Sequence, residues 1–99
     1  MDPKPDIRAA SVRMRVYGDV QGVFYRSWAV AAAKRIGVKG WVRNRKDGSV
    51  ELHVEGPEDA VEQFYYACHT GPPLAFVETI ARADIASEAP TDFEERASE

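Results

Sequence analysis

The sequence predicts an α+β domain whose elements follow the order β-α-β-β-α-β, with a fifth strand near the end of the chain. Three observations favour this order. Short runs of alternating apolar and polar residues, typical of strands with one buried face, occur at several points. Two longer segments instead repeat apolar residues every three or four positions, as helices do. The pair Asp47 and Gly48 separates two alternating runs and favours a hairpin between them.

The first half of the chain is predicted to form a strand, a helix and a second strand. Alternation over 12–16 places Val12, Met14 and Val16 on one face of the first strand. The helix is expected over 25–36 and ends at Gly37, a residue that readily adopts the left-handed conformation of a helix end. The second strand is expected over 38–44 and leads into the Asp-Gly turn.

The second half is predicted to repeat the pattern as a strand, a helix and one or two strands. These elements are a strand at 49–55, a helix starting within 56–59 and ending near 70, a bulged strand at 77–85 and a short strand at 92–97. The result is a ferredoxin-like fold, with two helices on one face of a four- to five-stranded, mainly antiparallel sheet. The third strand is expected between the first two.

Composition limits the classes of function. A chain of 99 residues suits one small domain, expected over 11–99 after a flexible leader at 1–10. The 16 acidic residues outnumber the 13 basic ones, which argues against a broad nucleic-acid interface. Cys68 is the only cysteine, as suits a cytoplasmic protein, and no apolar run is long enough to span a membrane. The charge balance still allows a local positive pocket for a small anion, and no large exposed apolar stripe favours a dimer. We expect a cytoplasmic monomer with a small-molecule partner.

A candidate anion site lies between the first strand and the first helix. The turn 18–22 carries two glycines and leads into a helix N-terminus, where several backbone N–H groups are free to bind an anion. Helix side chains lean toward the N-terminus, so Arg26 would point into this cradle with a fork suited to phosphate. The alternative is an ordinary turn followed by a solvated arginine.

Asn44 is predicted to face the same cradle. A helical crossover makes the first two strands parallel, so their C-terminal ends share one edge of the sheet, roughly 10 Å apart. Alternation puts Asn44 on the side of Val42, which the helices cover. The alternative is an asparagine selected only by the following turn.

The remaining polar residues add little chemistry. No His, Cys, Asp and Glu cluster has metal-ligand spacing, so no metal or cofactor is expected. His53 is interpreted as a surface residue on an open strand face, His69 as a helix-end residue and Cys68 as inert packing. An anion cradle, one arginine and one amide contain no strong base. Such a site suits a substrate whose leaving group departs unaided, such as the carboxylate of an acyl phosphate.

Two long motifs resemble those of the acylphosphatase family. Segment 18–26, GDVQGVFYR, resembles the signature G-x-V-Q-G-V-x-[aromatic]-R, and segment 40–51, GWVRNRKDGSVE, resembles G-W-V-x-N-x-x-D-G-x-V-E. Segment 71–77, GPPLAFV, is similar to the family's loop into the fourth strand. The chain departs from the family at Glu95, where an apolar residue is usual in the last strand.

The resemblance implies hydrolysis of small acyl phosphates, such as acetyl, carbamoyl or 1,3-bisphosphoglycerate-type substrates, without a metal or cofactor. It implies that Arg26 binds the phosphate, that Asn44 positions water and that a phosphate oxygen of the substrate accepts the water's proton. The phosphate-binding loop would consist of the backbone amides of Gln21, Gly22, Val23, Phe24, Tyr25 and Arg26.

Three other functions remain as alternatives. An RNA-recognition module shares the element order but stacks bases on aromatic residues of the outer sheet face. That face here carries opposed arginine and glutamate rows, which favour cross-strand ion pairs. The others are a regulatory domain that binds a small molecule and an acylphosphatase-like domain that binds without turnover.

Overall fold

The predicted order of elements is confirmed. The computed structural model describes residues 8–99. Its elements are β1 (Ala9–Asp19), α1 (Tyr25–Ile36), β2 (Lys39–Asn44), β3 (Val50–Pro57), α2 (Glu58–Thr70), β4 (Phe76–Asp84) and β5 (Phe93–Glu95). Strand β1 includes the last two residues of the expected leader, and residues 1–7 of that leader lie outside the described residues.

The sheet has the strand order β4-β1-β3-β2-β5. Strand β3 lies between β1 and β2 and is antiparallel to both, as predicted. The short strand β5 pairs with β2 in parallel, with Val42 opposite Glu95. The C-terminal ends of β1, β2 and β5 therefore share one edge of the sheet.

The two helices pack on the same face of this sheet. Helix α1 covers β2 and β5, and helix α2 covers β1, β3 and β4. Between them lies a core whose largest fully buried side chains include Tyr25, Phe64, Phe93 and Met14. Tyr65 of α2 is only half-buried and packs at the margin of this core.

Cys68 is buried in this core, as predicted. Burial raises the pKa of its thiol to about 12, because the thiolate would lose its hydration. The thiol is therefore protonated at neutral pH and a poor nucleophile.

The predicted bulge in β4 is confirmed. The pairing of β1 with β4 shifts between Tyr17 and Gly18, so that Tyr17 faces Thr79 and Gly18 faces Val77. At Gly18 (φ 132°) an added Cβ would lie 2.2 Å from the carbonyl oxygen of Phe76. Only glycine permits this close approach, which sets where the cradle loop leaves the sheet.

The interpretation of His53 as a surface residue is wrong. His53 lies on the outer face of the sheet, where it is fully buried. Its ring stacks on Trp41 with centroids 5.9 Å apart, and its Nε2 pairs with the Glu55 carboxylate. The guanidinium groups of Arg13, Arg43 and Arg96 lie within 5.2 Å of the Trp41 ring centroid. Alternation placed His53 correctly on the outer face, but this face is covered by an aromatic ring and long arginine stems.

The predicted cross-strand ion pairs are present on this face. Arg13 and Arg43 contact the Glu51 carboxylate at 3.0 and 2.7 Å, and Arg45 contacts it at 3.4 Å. Glu51 is itself buried, so these cations supply the hydrogen bonds that its carboxylate needs.

Candidate active site

The loop between β1 and α1 exposes a row of backbone amides. Within the described part of the chain, the N–H groups of 22–27 donate to no backbone carbonyl, and the first bond of α1 runs from Trp28 to the carbonyl of Phe24. Gly22 and Phe24 both have positive φ, 75° and 65°, which turns successive amides toward one side. The first turn of α1 contains no acidic residue. Free amides at the positive end of a helix dipole form an anion cradle.

A pocket of about 340 Å³ opens over this cradle. Its lining comprises Val20, Gly22, Phe24, Tyr25, Arg26, Ser27, Asn44 and Glu95. The pocket is at the small end of the usual range for ligand sites, about 300–1,000 Å³. Arg26 and Asn44, chosen from different parts of the sequence, therefore meet in one small cavity.

Two members of the predicted loop do not line this pocket. The Gln21 side chain donates to the backbone carbonyls of Arg45 and Ser49 at 2.7 and 2.8 Å, tying the loop to the hairpin that follows β2. Val23 packs against the core. The side chains of Gln21 and Val23 thus hold the loop in place.

The guanidinium of Arg26 has no hydrogen-bond or ion-pair partner among the described residues. Arg26 is half-buried at the start of α1, and no described residue forms a hydrogen bond or ion pair with its side chain. A solvated arginine on an open helix face would not line a cavity at the helix N-terminus. All its donors are available to an anion in the pocket.

Asn44 ends β2 and also has a free side chain. Its backbone is fixed by pairing opposite Val50 in β3 and by a 3.0 Å hydrogen bond from the amide of Glu99 to its carbonyl. Its side-chain amide bonds no described residue. An asparagine selected to build the turn would bond the turn, where Asp47 instead accepts from the amide and hydroxyl of Ser49.

Glu95 is a pocket residue that the sequence interpretation missed. Phe93 is buried beneath the helices, and Glu95 follows two residues later on the same face of β5. The sequence interpretation named no carboxylate among the site residues. Alternation from Phe93 predicts that the Glu95 side chain lies on the helix-covered face, but only the pairing of β5 with β2 brings it to the pocket.

Tyr25 anchors the cradle from below. Its ring is buried 5.4 Å from the Trp28 ring, and its hydroxyl donates a 2.6 Å hydrogen bond to the Cys68 carbonyl. Burial raises the pKa of this hydroxyl well above its usual range. The hydroxyl satisfies one of the last carbonyls of α2 and ties the two helices together.

We expect Tyr25→Phe to separate stability from turnover. The variant leaves the Cys68 carbonyl without its partner, so the free energy of unfolding should fall by about 1–3 kcal/mol. The backbone amide at position 25 is retained, so kcat/KM should change less than about twofold. Urea denaturation and steady-state kinetics measure the two effects. A large loss of kcat with unchanged stability would instead assign the hydroxyl to the chemistry.

Other features of the described residues lie away from the pocket. Within residues 8–99, no group of three or more His, Cys, Asp and Glu side chains is placed to hold a metal ion. His69 is exposed at the end of α2, where it contacts the Tyr65 carbonyl, as expected for a helix-end histidine. No helix in this part of the chain combines the length and apolarity needed to cross a bilayer.

The similarity of this chain to known proteins covers most of its length. The profile of the acylphosphatase family matches residues 12–95. The chain belongs to the acylphosphatase family. An acylphosphatase of Azoarcus sp. (strain BH72) is 50% identical over 90 residues, covering 91% of this chain and 89% of the relative. One from Rhodospirillum rubrum is 46% identical over 86% of this chain and 93% of its own.

Solved acylphosphatases share the fold. The structure of an acylphosphatase from Coxiella burnetii aligns with a TM-score of 0.86 at 33% identity, covering 89% of this chain and 93% of that one. The protein is thus a hydrolase that cleaves acyl phosphates to a carboxylate and inorganic phosphate. The ferredoxin-like α+β fold expected from the sequence is confirmed.

Proposed function

We propose that residues 11–99 act as a single catalytic domain in which the 21–26 loop and Arg26 capture the phosphoryl group and Asn44 positions the attacking water. The observation that carries this proposal is that Arg26 and Asn44, both without partners in residues 8–99, line one pocket above free helix N-terminal amides. Each group has hydrogen-bonding capacity that the fold leaves unused.

The reaction is the in-line attack of water on phosphorus with departure of a carboxylate. Charge spreads over the equatorial phosphoryl oxygens in a loose transition state. The amides and the Arg26 fork donate to those oxygens, and the Gln21 bridges keep the loop from relaxing away. The amide oxygen of Asn44 accepts a hydrogen bond from the water. This hydrogen bond orients a lone pair of the water oxygen toward phosphorus.

This machinery restricts the substrate to acyl phosphates. The carboxylate leaving group is the base of an acid with a pKa near ~4, so it departs without a proton. Within the lining, Tyr25 is the one phenol, and its proton is held by the Cys68 carbonyl. A phosphate monoester of an alcohol would require such a proton.

Phosphate release from acetyl phosphate and benzoyl phosphate tests the proposal. We expect rapid hydrolysis of both, no measurable hydrolysis of an alkyl phosphate monoester, and an unchanged rate after treatment with a chelator. A chelator should leave the rate unchanged because the proposed charge stabilisation comes from Arg26 and backbone amides, and not from a metal ion. A folded protein that binds phosphate without turnover would favour the regulatory domain, and a rate abolished by the chelator would contradict the mechanism.

The state of Cys68 and the outer face of the sheet bear on the location and the partners of this protein. The buried, protonated Cys68 suits a reducing cytoplasm. The outer sheet face carries partly buried ion pairs around Glu51 and not an exposed aromatic platform, which supports a small-molecule partner and no nucleic acid. We place the protein in the cytoplasm as a monomer, and sedimentation velocity would test the monomer.

A further inference from the structure

Phe24 lines the pocket, and the mechanism above uses only its backbone amide. Its side chain is 74% exposed, although it belongs to the loop that holds the phosphoryl group. Among residues 8–99, its ring pairs with no other aromatic ring and belongs neither to the buried core nor to the margin of that core. The ring therefore stands at the mouth of the pocket, largely open to solvent.

The residues around Phe24 fix its backbone. On either side of it, Val23 packs against the core and Tyr25 is buried. The carbonyl of Phe24 accepts hydrogen bonds from the amide of Trp28 at 3.0 Å and from the hydroxyl of Ser27 at 3.2 Å. The direction of the exposed ring is thus set by anchored neighbours and not by packing of the ring itself.

This backbone conformation is an unfavourable one for a large side chain. Phe24 has φ 65°, in the left-handed region that is sterically costly for residues other than glycine. A ring that stays exposed buries too little surface to offset this cost. Residues held in such conformations cluster at sites that clamp a ligand. Packing within the protein does not account for a phenylalanine here, whereas a contact with the substrate does.

An acyl phosphate held in the cradle directs its acyl group toward the mouth of the pocket. Its phosphoryl oxygens take the loop amides and the Arg26 guanidinium, so the other end of the molecule faces outward. The apolar side chains in the described lining are those of Val20, Phe24 and Tyr25, and both Val20 and Tyr25 are buried. Phe24 therefore presents the exposed apolar surface that an acyl group meets.

We propose that Phe24 is a specificity-determining residue, whose ring contacts the acyl group and favours aromatic acyl phosphates over acetyl phosphate. The proposal rests on the proposed function, because it requires the phosphoryl group to lie in the 21–26 loop. A benzoyl ring packs offset or edge-to-face on the Phe24 ring, whereas an acetyl group offers a single methyl group. This contact is the same in the ground state and the transition state, so it lowers KM for benzoyl phosphate and changes kcat little.

The test compares Phe24→Asn with Tyr66→Ala. Asparagine tolerates positive φ, so Phe24→Asn removes the ring and retains the loop conformation. Tyr66 is a 70% exposed aromatic residue of α2 that does not line the pocket. We expect Phe24→Asn to lower the ratio of kcat/KM for benzoyl phosphate to kcat/KM for acetyl phosphate about 2- to 10-fold, mainly through KM for benzoyl phosphate. Tyr66→Ala should keep the wild-type ratio. A general disturbance of the loop affects both substrates and cancels in this ratio.

Binding of unreactive analogues gives a second readout that does not depend on turnover. Phenacylphosphonate and acetonylphosphonate carry a methylene group in place of the bridging oxygen of benzoyl phosphate and acetyl phosphate. In isothermal titration calorimetry, the wild type should bind phenacylphosphonate about 2- to 10-fold more tightly than acetonylphosphonate, and Phe24→Asn should lose this preference.

The outcomes separate this contact from the proposed catalysis. An unchanged ratio of the two substrates in Phe24→Asn, or an equal loss of affinity for both analogues, would overturn the proposal and leave the ring without a role in substrate choice. A wild type that prefers phenacylphosphonate but hydrolyses neither substrate would support the ring contact and refute the proposed catalysis.

Discussion

Arg26→Ala is expected to lower kcat/KM for acetyl phosphate by at least about 10³-fold. Among residues 8–99, Arg26 is the one cationic residue that lines the pocket. An arginine on a transferring phosphoryl group contributes about 10³–10⁵-fold where it has been measured. The loss should appear in both parameters, because the same fork binds the ground-state phosphate. The inhibition constant of inorganic phosphate should rise with KM. Phosphate release and competitive inhibition measure these effects.

Two further variants sharpen this result. Arg26→Lys keeps the charge but not the planar fork, so it should recover only a small part of the lost activity. Arg35→Ala removes the same charge from the exposed last turn of α1 and should leave the kinetics unchanged. Near-normal turnover by folded Arg26→Ala would assign phosphate binding to the amides alone.

Asn44→Ala is expected to lower kcat on the order of 10²-fold with little change in KM. Loss of one preorganised polar group typically has an effect of this size. The phosphate would still meet Arg26 and the cradle, so the inhibition constant of inorganic phosphate serves as an internal control. Steady-state kinetics on benzoyl phosphate separate the two parameters. A raised KM with unchanged kcat would contradict water positioning and make Asn44 a substrate-binding residue.

The meeting of Arg26 and Asn44 was predictable because it depends on topology. Alternation fixed the face of Asn44, the crossover helix fixed the parallel direction of β1 and β2, and helix geometry fixed the lean of Arg26. Each step uses a local pattern with a strict period. None requires knowledge of which side chains touch.

The features that were missed depend on contacts between distant segments. His53 is buried because Trp41 and three arginine stems cover a sheet face that is usually solvated. Glu95 reaches the pocket because β5 pairs with β2 in parallel, and a three-residue strand carries no sequence signal for its partner or direction. The partner of the Tyr25 hydroxyl lies 43 residues away, in a different helix.

The left-handed conformation of Phe24 places a limit on engineering this protein for heat resistance. A large, 74% exposed aromatic residue rarely adopts φ 65°, so its backbone is strained while its ring buries little surface. Phe24→Gly would relieve that strain, yet it would also enlarge the set of conformations open to the loop before a ligand arrives. A screen that selects for melting temperature alone would accept such a change. It would then select enzymes in which the backbone amides of the 21–26 loop become ordered only when each substrate binds.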